Sequence, residues 1–395
     1  MVPDSTTGGP ASVPLGTIAK QWGRIGCTGF GGPPTHIAML RQLCVEREGW
    51  LGEAEFEDAI AATNLLPGPA STQLAILCAW RLRGLAGAMV GGLSFIVPGL
   101  LVIIGLAALF LSGDPPRWVR GAALGTGAAV AAVALNAAVG LIPGSWRRAG
   151  TARAPRVRWV VYAALGAAAG ATVGEYLVLV LLVCGAFELA LTAGTLNPPR
   201  GLSTVLLPPL LAASGVVGGL GALAWVAFKV GALSYGGGFV IIPLMQADAV
   251  NHYHWMTSAQ FLNAVALGQI TPGPVVQTVA VVGYAAAGVG GALLAAFVAF
   301  APSFVFVTSG GRHFSALRRN RAVQAFLSGA GPAAIGAIAG SALPLGLAIA
   351  HLWQVALLAG TVVWVVLLRR GVVLTLFAVG VLGVGAAFVG LPIGS

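Results

Sequence analysis

One stretch of this chain occurs twice, at a fixed offset of 205 positions, and that repeat limits the fold more than any other feature. Arg24 returns as Lys229 and Gly26 as Gly231. Phe30-Gly31-Gly32 returns as Tyr235-Gly236-Gly237, Trp50 as Trp255 and Phe56 as Phe261. Asn64 returns as Gln269, and Pro67-Gly68-Pro69 as Pro272-Gly273-Pro274. An ungapped match of this kind marks an internal duplication. The repeated residues are mostly helix-breaking glycines and prolines, with one cation and one carboxamide in each copy. They read as two copies of a binding element held inside a membrane.

The membrane follows from composition. The chain is 57% hydrophobic and 8% charged, against about 25% charged for a soluble domain. So little polar surface cannot cover a core, and lipid must do so. The 58 glycines suit close helix approach in lipid. A net charge of +10 would suit nucleic acid, but the arginines stand in short loops between apolar runs. That is the positive-inside pattern of a membrane protein, and no nucleic-acid partner is expected. Cys27, Cys44, Cys78 and Cys184 lie in or beside apolar segments without metal-type spacing and are expected to be free thiols.

Residues 1–14 read as a disordered tail without the features of a cleavable signal peptide. Residues 15–196 form a first half, 197–214 a linker and 215–395 a second half. In the first half, helices are expected over Leu15–Thr28, Thr35–Arg47, Glu53–Leu66 and Ala70–Arg83. Each is too short for roughly 30 Å of hydrocarbon, so they are half-helices or re-entrant hairpins. Full spans are expected at Gly84–Leu111, Trp118–Ile142, Trp159–Thr172 and Tyr176–Ala193, with a basic linker from Arg147 to Arg158. The second half repeats the order. Short pieces are expected at Leu220–Ser234, Phe239–Val250, Thr257–Ile270 and Val275–Gly288. Spans follow at Val289–Ser309, Ala322–Leu343, His351–Leu368 and Gly371–Phe388. The fold class is therefore an all-α polytopic membrane protein. Basic loops place equivalent helices of the two halves in opposite directions, an inverted repeat of the kind many secondary transporters use. Arg117 and Arg120 stand against that orientation.

Breaks in a buried helix leave N–H and C=O groups without partners, at several kcal/mol each in lipid. A half-helix start carries a partial positive charge and suits an anion. The Gly31-Gly32, Gly236-Gly237-Gly238, Pro67-Gly68-Pro69 and Pro272-Gly273-Pro274 breaks each precede a helix, so four such starts are expected to converge near the midplane. Pro69 and Pro274 fit the first helical turn. Thr72-Gln73 and Gln277-Thr278 follow the proline breaks, and Asn64 and Gln269 precede them. Such donors line a substrate path or simply bond across helices. Arg24 and Lys229 are intramembrane cations, read as functional or as snorkelling to headgroups. His36 has no counterpart, because Ile241 occupies its place; it carries a proton, donates to an anion or is structural. Glu53, Glu55, Glu57 and Asp58 suit the start of their helix, and Glu188 is expected to snorkel. No metal or cofactor site is expected.

These residues resemble the chromate ion transporter family. The likeness rests on Phe30-Gly31-Gly32-Pro33 with His36-Ile37, on Trp50, on Glu55-Phe56 and on Leu66-Pro67-Gly68-Pro69 with Gln73. In the second half it rests on Phe228-Lys229-Val230-Gly231, Tyr235-Gly236-Gly237-Gly238, Pro243-Leu244 and Thr271-Pro272-Gly273-Pro274. Phe95-Ile96-Val97-Pro98 is similar to the end of the family's next helix. The resemblance covers nearly the whole chain. It implies an inner-membrane carrier that exports chromate, driven by protons or membrane potential, with sulfate as a close analogue. It implies a binding site at Arg24, the two glycine breaks (Phe30 to Pro33 and Tyr235 to Gly238), both proline breaks and their polar neighbours. Tyr235 stands where the family has Phe, and Gln277-Thr278 reverses its Thr-Gln order. A homodimer is compatible with this reading.

Overall fold

The computed structural model describes residues 13–64, 66, 68–111, 113, 115–172, 176–193, 219–234, 241–310 and 320–392. Within them every regular element is helical. In the first half these are α1 (Leu15–Thr28), α2 (Pro33–Arg41, continued by a π-turn to Arg47) and α3 (Glu53–Thr63), then α4 (Ala70–Phe110), α5 (Arg117–Arg148), α6 (Arg153–Thr172) and α7 (Leu177–Ala193). The second half holds α8 (Gly219–Leu233), α9 (Ile241–Gln246, continued by a π-turn to His252) and α10 (Ser258–Ile270). A short 3₁₀ turn, Val275–Gln277, leads into α11 (Thr278–Gly310), and α12 (Arg321–Leu347), α13 (Leu352–Thr361, extended to Leu367) and α14 (Val372–Phe388) complete the chain. The π-turns after α2 and α9 lie at the same place in the repeat, so the duplication extends to local geometry. The 197–214 linker and the Tyr235 to Gly238 break lie outside the described residues.

α4 and α11 are helical hairpins. Gly84 has φ 57° and ψ −145°, and Gly288 has φ 62° and ψ −152°. Only glycine takes these angles cheaply. In a straight helix Ala79 and Gly87 would be about 12 Å apart. Here the Cα of Gly87 packs against the Ala79 carbonyl, and Gly283 packs against Gly291 in the second half. The chain therefore reverses after a short arm, which selects the re-entrant hairpin from the two alternatives that the sequence left open. The outgoing arm of α4, through Pro98 to Phe110, is roughly 39 Å long and can cross a bilayer. α5 and α12 are also long and apolar enough to cross. The protein is a multi-pass membrane protein.

The same packings recur with the halves exchanged. α1 lies on α4 and α8 on α11, α4 meets α11, and α5 meets α12 at the centre. α6 and α7 of the first half pack on α12 of the second, while α13 and α14 pack on α5. Each half thus hands its last helices to the other. Small residues make this contact: Gly166 and Gly170 of α6 meet the carbonyls of Ala333 and Ala337, and Gly336 and Gly340 of α12 meet those of Ala163 and Ala167. A methyl group at any of them would push the helices apart.

Two sequence expectations are corrected. The stretch Arg147 to Arg158 is mostly helix, because α5 continues past Pro143 to Arg148 and α6 begins at Arg153. Arg147 and Arg148 in that last turn complement the helix dipole. Glu188 does not snorkel. Its carboxylate accepts two hydrogen bonds from the Arg158 guanidinium, at 2.8 and 2.9 Å, and one from Tyr162 Oη at 2.8 Å. A carboxylate 9% exposed among apolar helices needs such partners.

Candidate functional site

The two kinds of break meet across the halves. The Gly68 N–H donates to the Ser234 carbonyl at 3.0 Å, and the Gly273 N–H donates to the Gly29 carbonyl at 3.1 Å. These bonds are equivalent under the repeat. Each proline break of one half is tied to the residue just ahead of the glycine break in the other. Gly31 (φ 101°), Gly32 (φ 75°), Gly68 (φ 124°) and Gly273 (φ 95°) all hold positive φ, so the breaks require glycine. Pro33 occupies the first turn of α2. Pro69 and Pro274 stand one place earlier than expected, as extended N-cap residues. The starts of α2, α4 and the 3₁₀ turn have no side-chain cap, so their first N–H groups have no side-chain partner.

Polar side chains surround this crossing. Gln277 donates from Nε2 to the Ile96 carbonyl at 2.8 Å, beside Gly99, where a Cβ would meet the Pro272 carbonyl and the Gln277 amide. Ser303 lies beside Gly68, whose other neighbour is the Gln73 amide. Thr72 Oγ1, Ser234 Oγ, Gln269 Nε2, Gln277 Oε1 and Ser303 Oγ are buried with no hydrogen-bond partner among the described residues. Each such group costs about 1–3 kcal/mol when left unpaired, so the crossing presents several polar atoms that a ligand or water can satisfy. Thr278 returns its hydroxyl to the Val275 carbonyl at 2.8 Å.

His36 is fully buried and edge-on to Phe95. Its Nε2 donates to the Gly29 carbonyl at 2.8 Å, the same carbonyl that accepts from Gly273. Its Nδ1 meets Ser71 Oγ at 3.3 Å and, in the neutral ring, accepts from that hydroxyl. Ile241, at the equivalent place, is buried and makes no such bond. The histidine therefore braces one of two otherwise equivalent crossings.

The two cations differ. Lys229 Nζ lies 2.9 Å from Oδ1 and 2.7 Å from Oδ2 of Asp248, and over the Trp225 ring. Both side chains are less than one-fifth exposed. Arg24 is exposed on α1, on the face away from buried Trp22 and Ile25, and makes no ion pair among the described residues. Phe30 is 40% exposed. Asn64 ends α3 at the rim of a cavity of about 250 Å³ that reaches Gly68. Pro67 and Tyr235 to Gly238 lie outside the described residues.

Sequence reasoning missed Asp248, Ser71, Ser234, Ser303 and Gly99. Asp248 carried a readable signal, because it is the sole acid after Glu188. Gly99 and Ser303 carried none, since both sit one residue beyond the proline of a long span.

A family model described as "Chromate transporter" matches residues 16–189 and 221–384. The chain is 31% identical to the chromate transport protein of Cupriavidus metallidurans, over 87% of this chain and 86% of that protein. It is 30% identical to a probable chromate transport protein of Synechococcus elongatus, over 84% of each. It is 29% identical to the chromate transport protein of Pseudomonas aeruginosa, over 82% of this chain and 79% of that one. No solved structure matches significantly. With both halves matched in order, the chain belongs to the chromate transporter family.

Proposed function

We propose that this protein is a secondary carrier that exports chromate across the inner membrane by alternating access. The observation that supports this best is the set of buried polar atoms without a hydrogen-bond partner, on and beside the breaks, among the described residues. Chromate is a tetrahedral dianion, and in a low-dielectric site it needs hydrogen-bond donors on several sides. Uncapped helix starts, the Thr72, Ser234 and Ser303 hydroxyls and the Gln269 amide supply them without the trap of a fixed ion pair. The relatives named for chromate transport support the same substrate.

The mechanism rests on the duplication. Two halves that make equivalent contacts and run in opposite directions across the bilayer exchange roles when the carrier turns over. The arginine-rich end of α5 and start of α6 is then cytoplasmic. A proton or the membrane potential drives the cycle. Sulfate has the same shape and charge, and competes for the site.

The test is uptake of labelled chromate into proteoliposomes holding the purified protein, with imposed pH gradients and voltages. Chromate flux above protein-free vesicles, coupled to either gradient, supports the reading. Flux of sulfate with none of chromate would reassign the substrate, and a single-channel current would replace the carrier with a pore.

A further inference from the structure

The halves are equivalent in sequence but not in packing, and the difference opens a chamber on one side. In the second half α10 packs on α5 and on α14. The Cα of Gly127 on α5 is so close to α10 that a Cβ there would sit 3.2 Å from Asn263 Oδ1 and 3.5 Å from Leu262 Cβ. Leu262 is buried as a result. Under the repeat the matching contact would bring α3 onto α12 and α7. Among the described residues α3 makes no comparable packing with either. Glu57 and Asp58, the equivalents of Leu262 and Asn263, are exposed.

The gap left by α3 is the cavity of about 250 Å³. Liquid water occupies about 30 Å³ per molecule, so an oxyanion fits with part of its hydration shell. The rim is exposed and polar, with Asn64, Gly140 and Arg148. The floor is buried, with Gly68 of the proline break and Gly331, Ala334 and Ile338 of α12. In the second half Gln269, the equivalent of Asn64, is 8% exposed.

We infer that this cavity is the loading chamber of the oxyanion and that Arg148 at its rim is the residue that draws the anion in. The inference rests on the carrier reading above and adds to it the side that is open and the cation that serves it. Arg148 makes no ion pair among the described residues, and Leu352 stands at its equivalent place at the spacing of 204 that relates Gly84 to Gly288 and holds from there on. Its guanidinium fork suits an oxyanion's paired oxygens, and Arg147, Arg153 and Arg156 add to the local positive field. The chamber ends at Gly68, one bond from the crossing. Closing it requires α3 to dock on α12 as α10 docks on α5, and docking brings the Asp58 carboxylate against an apolar wall where the second half has a neutral amide.

The test compares two buried cysteines in the full-length protein, with the exposed Cys27 changed to Ser. Ala334→Cys lines the chamber floor, and Val130→Cys is its equivalent on the packed side, with 3% and 1% exposure for the native residues. A small charged thiol reagent should label Ala334→Cys at least about tenfold faster than Val130→Cys, and chromate should slow that labelling. Asp58→Asn should also slow it, by favouring docked α3. Arg148→Gln should raise the KM for chromate about fivefold with kcat largely kept, the size of one screened charge near a dianion. Equal labelling of the two cysteines, or an unchanged KM, overturns the inference. Labelling needs no substrate, so if wild-type vesicles take up no chromate the carrier reading fails while the labelling comparison still decides on the chamber.

Discussion

The Lys229–Asp248 pair yields the sharpest mutational prediction. Lys229→Met removes the ammonium and leaves the Asp248 carboxylate, 11% exposed, without its cation at 2.7 Å. At an effective dielectric of about 20 and a charge separation of roughly 4 Å the lost attraction is about 4 kcal/mol. Breaking one side of a buried pair costs a similar amount, about 3–5 kcal/mol. Asp248→Leu strands the lysine at comparable cost. The double variant Lys229→Met/Asp248→Leu strands neither, and should return to within about 1 kcal/mol of the parent, because apolar replacements of a buried pair are often neutral. A paired lysine also contributes little net charge to a dianion, so the double variant should transport most of the chromate that the parent does. The assay is retention of monodisperse protein after heating in detergent, followed by vesicle uptake for all four members of the cycle. A double variant as stable as the parent yet unable to transport would refute this reasoning and make the Lys229 ammonium a direct contact of the anion.

The other predictions are simpler. Gly84→Ala has nothing within 4 Å to strike, so its cost, about 1–3 kcal/mol from backbone strain, isolates the hairpin turn; thermal stability in detergent measures it. Gly99→Ala drives a methyl into the Pro272 carbonyl and the Gln277 amide and should abolish chromate uptake, whereas Gly105→Ala on the same helix meets open space and should transport normally. Trp22→Phe removes the 2.8 Å bond from Nε1 to the Ala75 carbonyl and should cost about 1 kcal/mol of stability. Arg158→Leu should destabilise more than Arg158→Leu with Glu188→Leu, by the argument used for Lys229, in the same heating assay.

Much of this fold was legible because glycine and proline mark where helices cannot continue. The break at Gly31-Gly32 follows from that, whereas the reversal at Gly84 was legible only as a boundary between a short helix and a span. The hydrophobic runs located α12, α14 and the start of α5 to within a few residues, while the end of α5 ran on past Pro143. The exchange of α6 and α7 onto α12 was not legible, because small-residue faces on these helices fit more than one partner. Nor was the pairing of Lys229 with Asp248, since a helix and a π-turn separated by a break bring them together. The unequal docking of α3 and α10 leaves only the trace of Glu57-Asp58 against Leu262-Asn263, and that trace gains meaning only once the packing is seen.

The central claim is that the four breaks form one anion site shared by both halves. An experimental map of the protein with chromate bound tests it most directly. The account predicts metal-strength density between the Gly68 and Gly273 turns, with oxygens about 2.7–3.1 Å from the Thr72 hydroxyl and the uncapped helix starts. Density lodged elsewhere, with the two turns still bonded to Ser234 and Gly29 and no room between them, would contradict it.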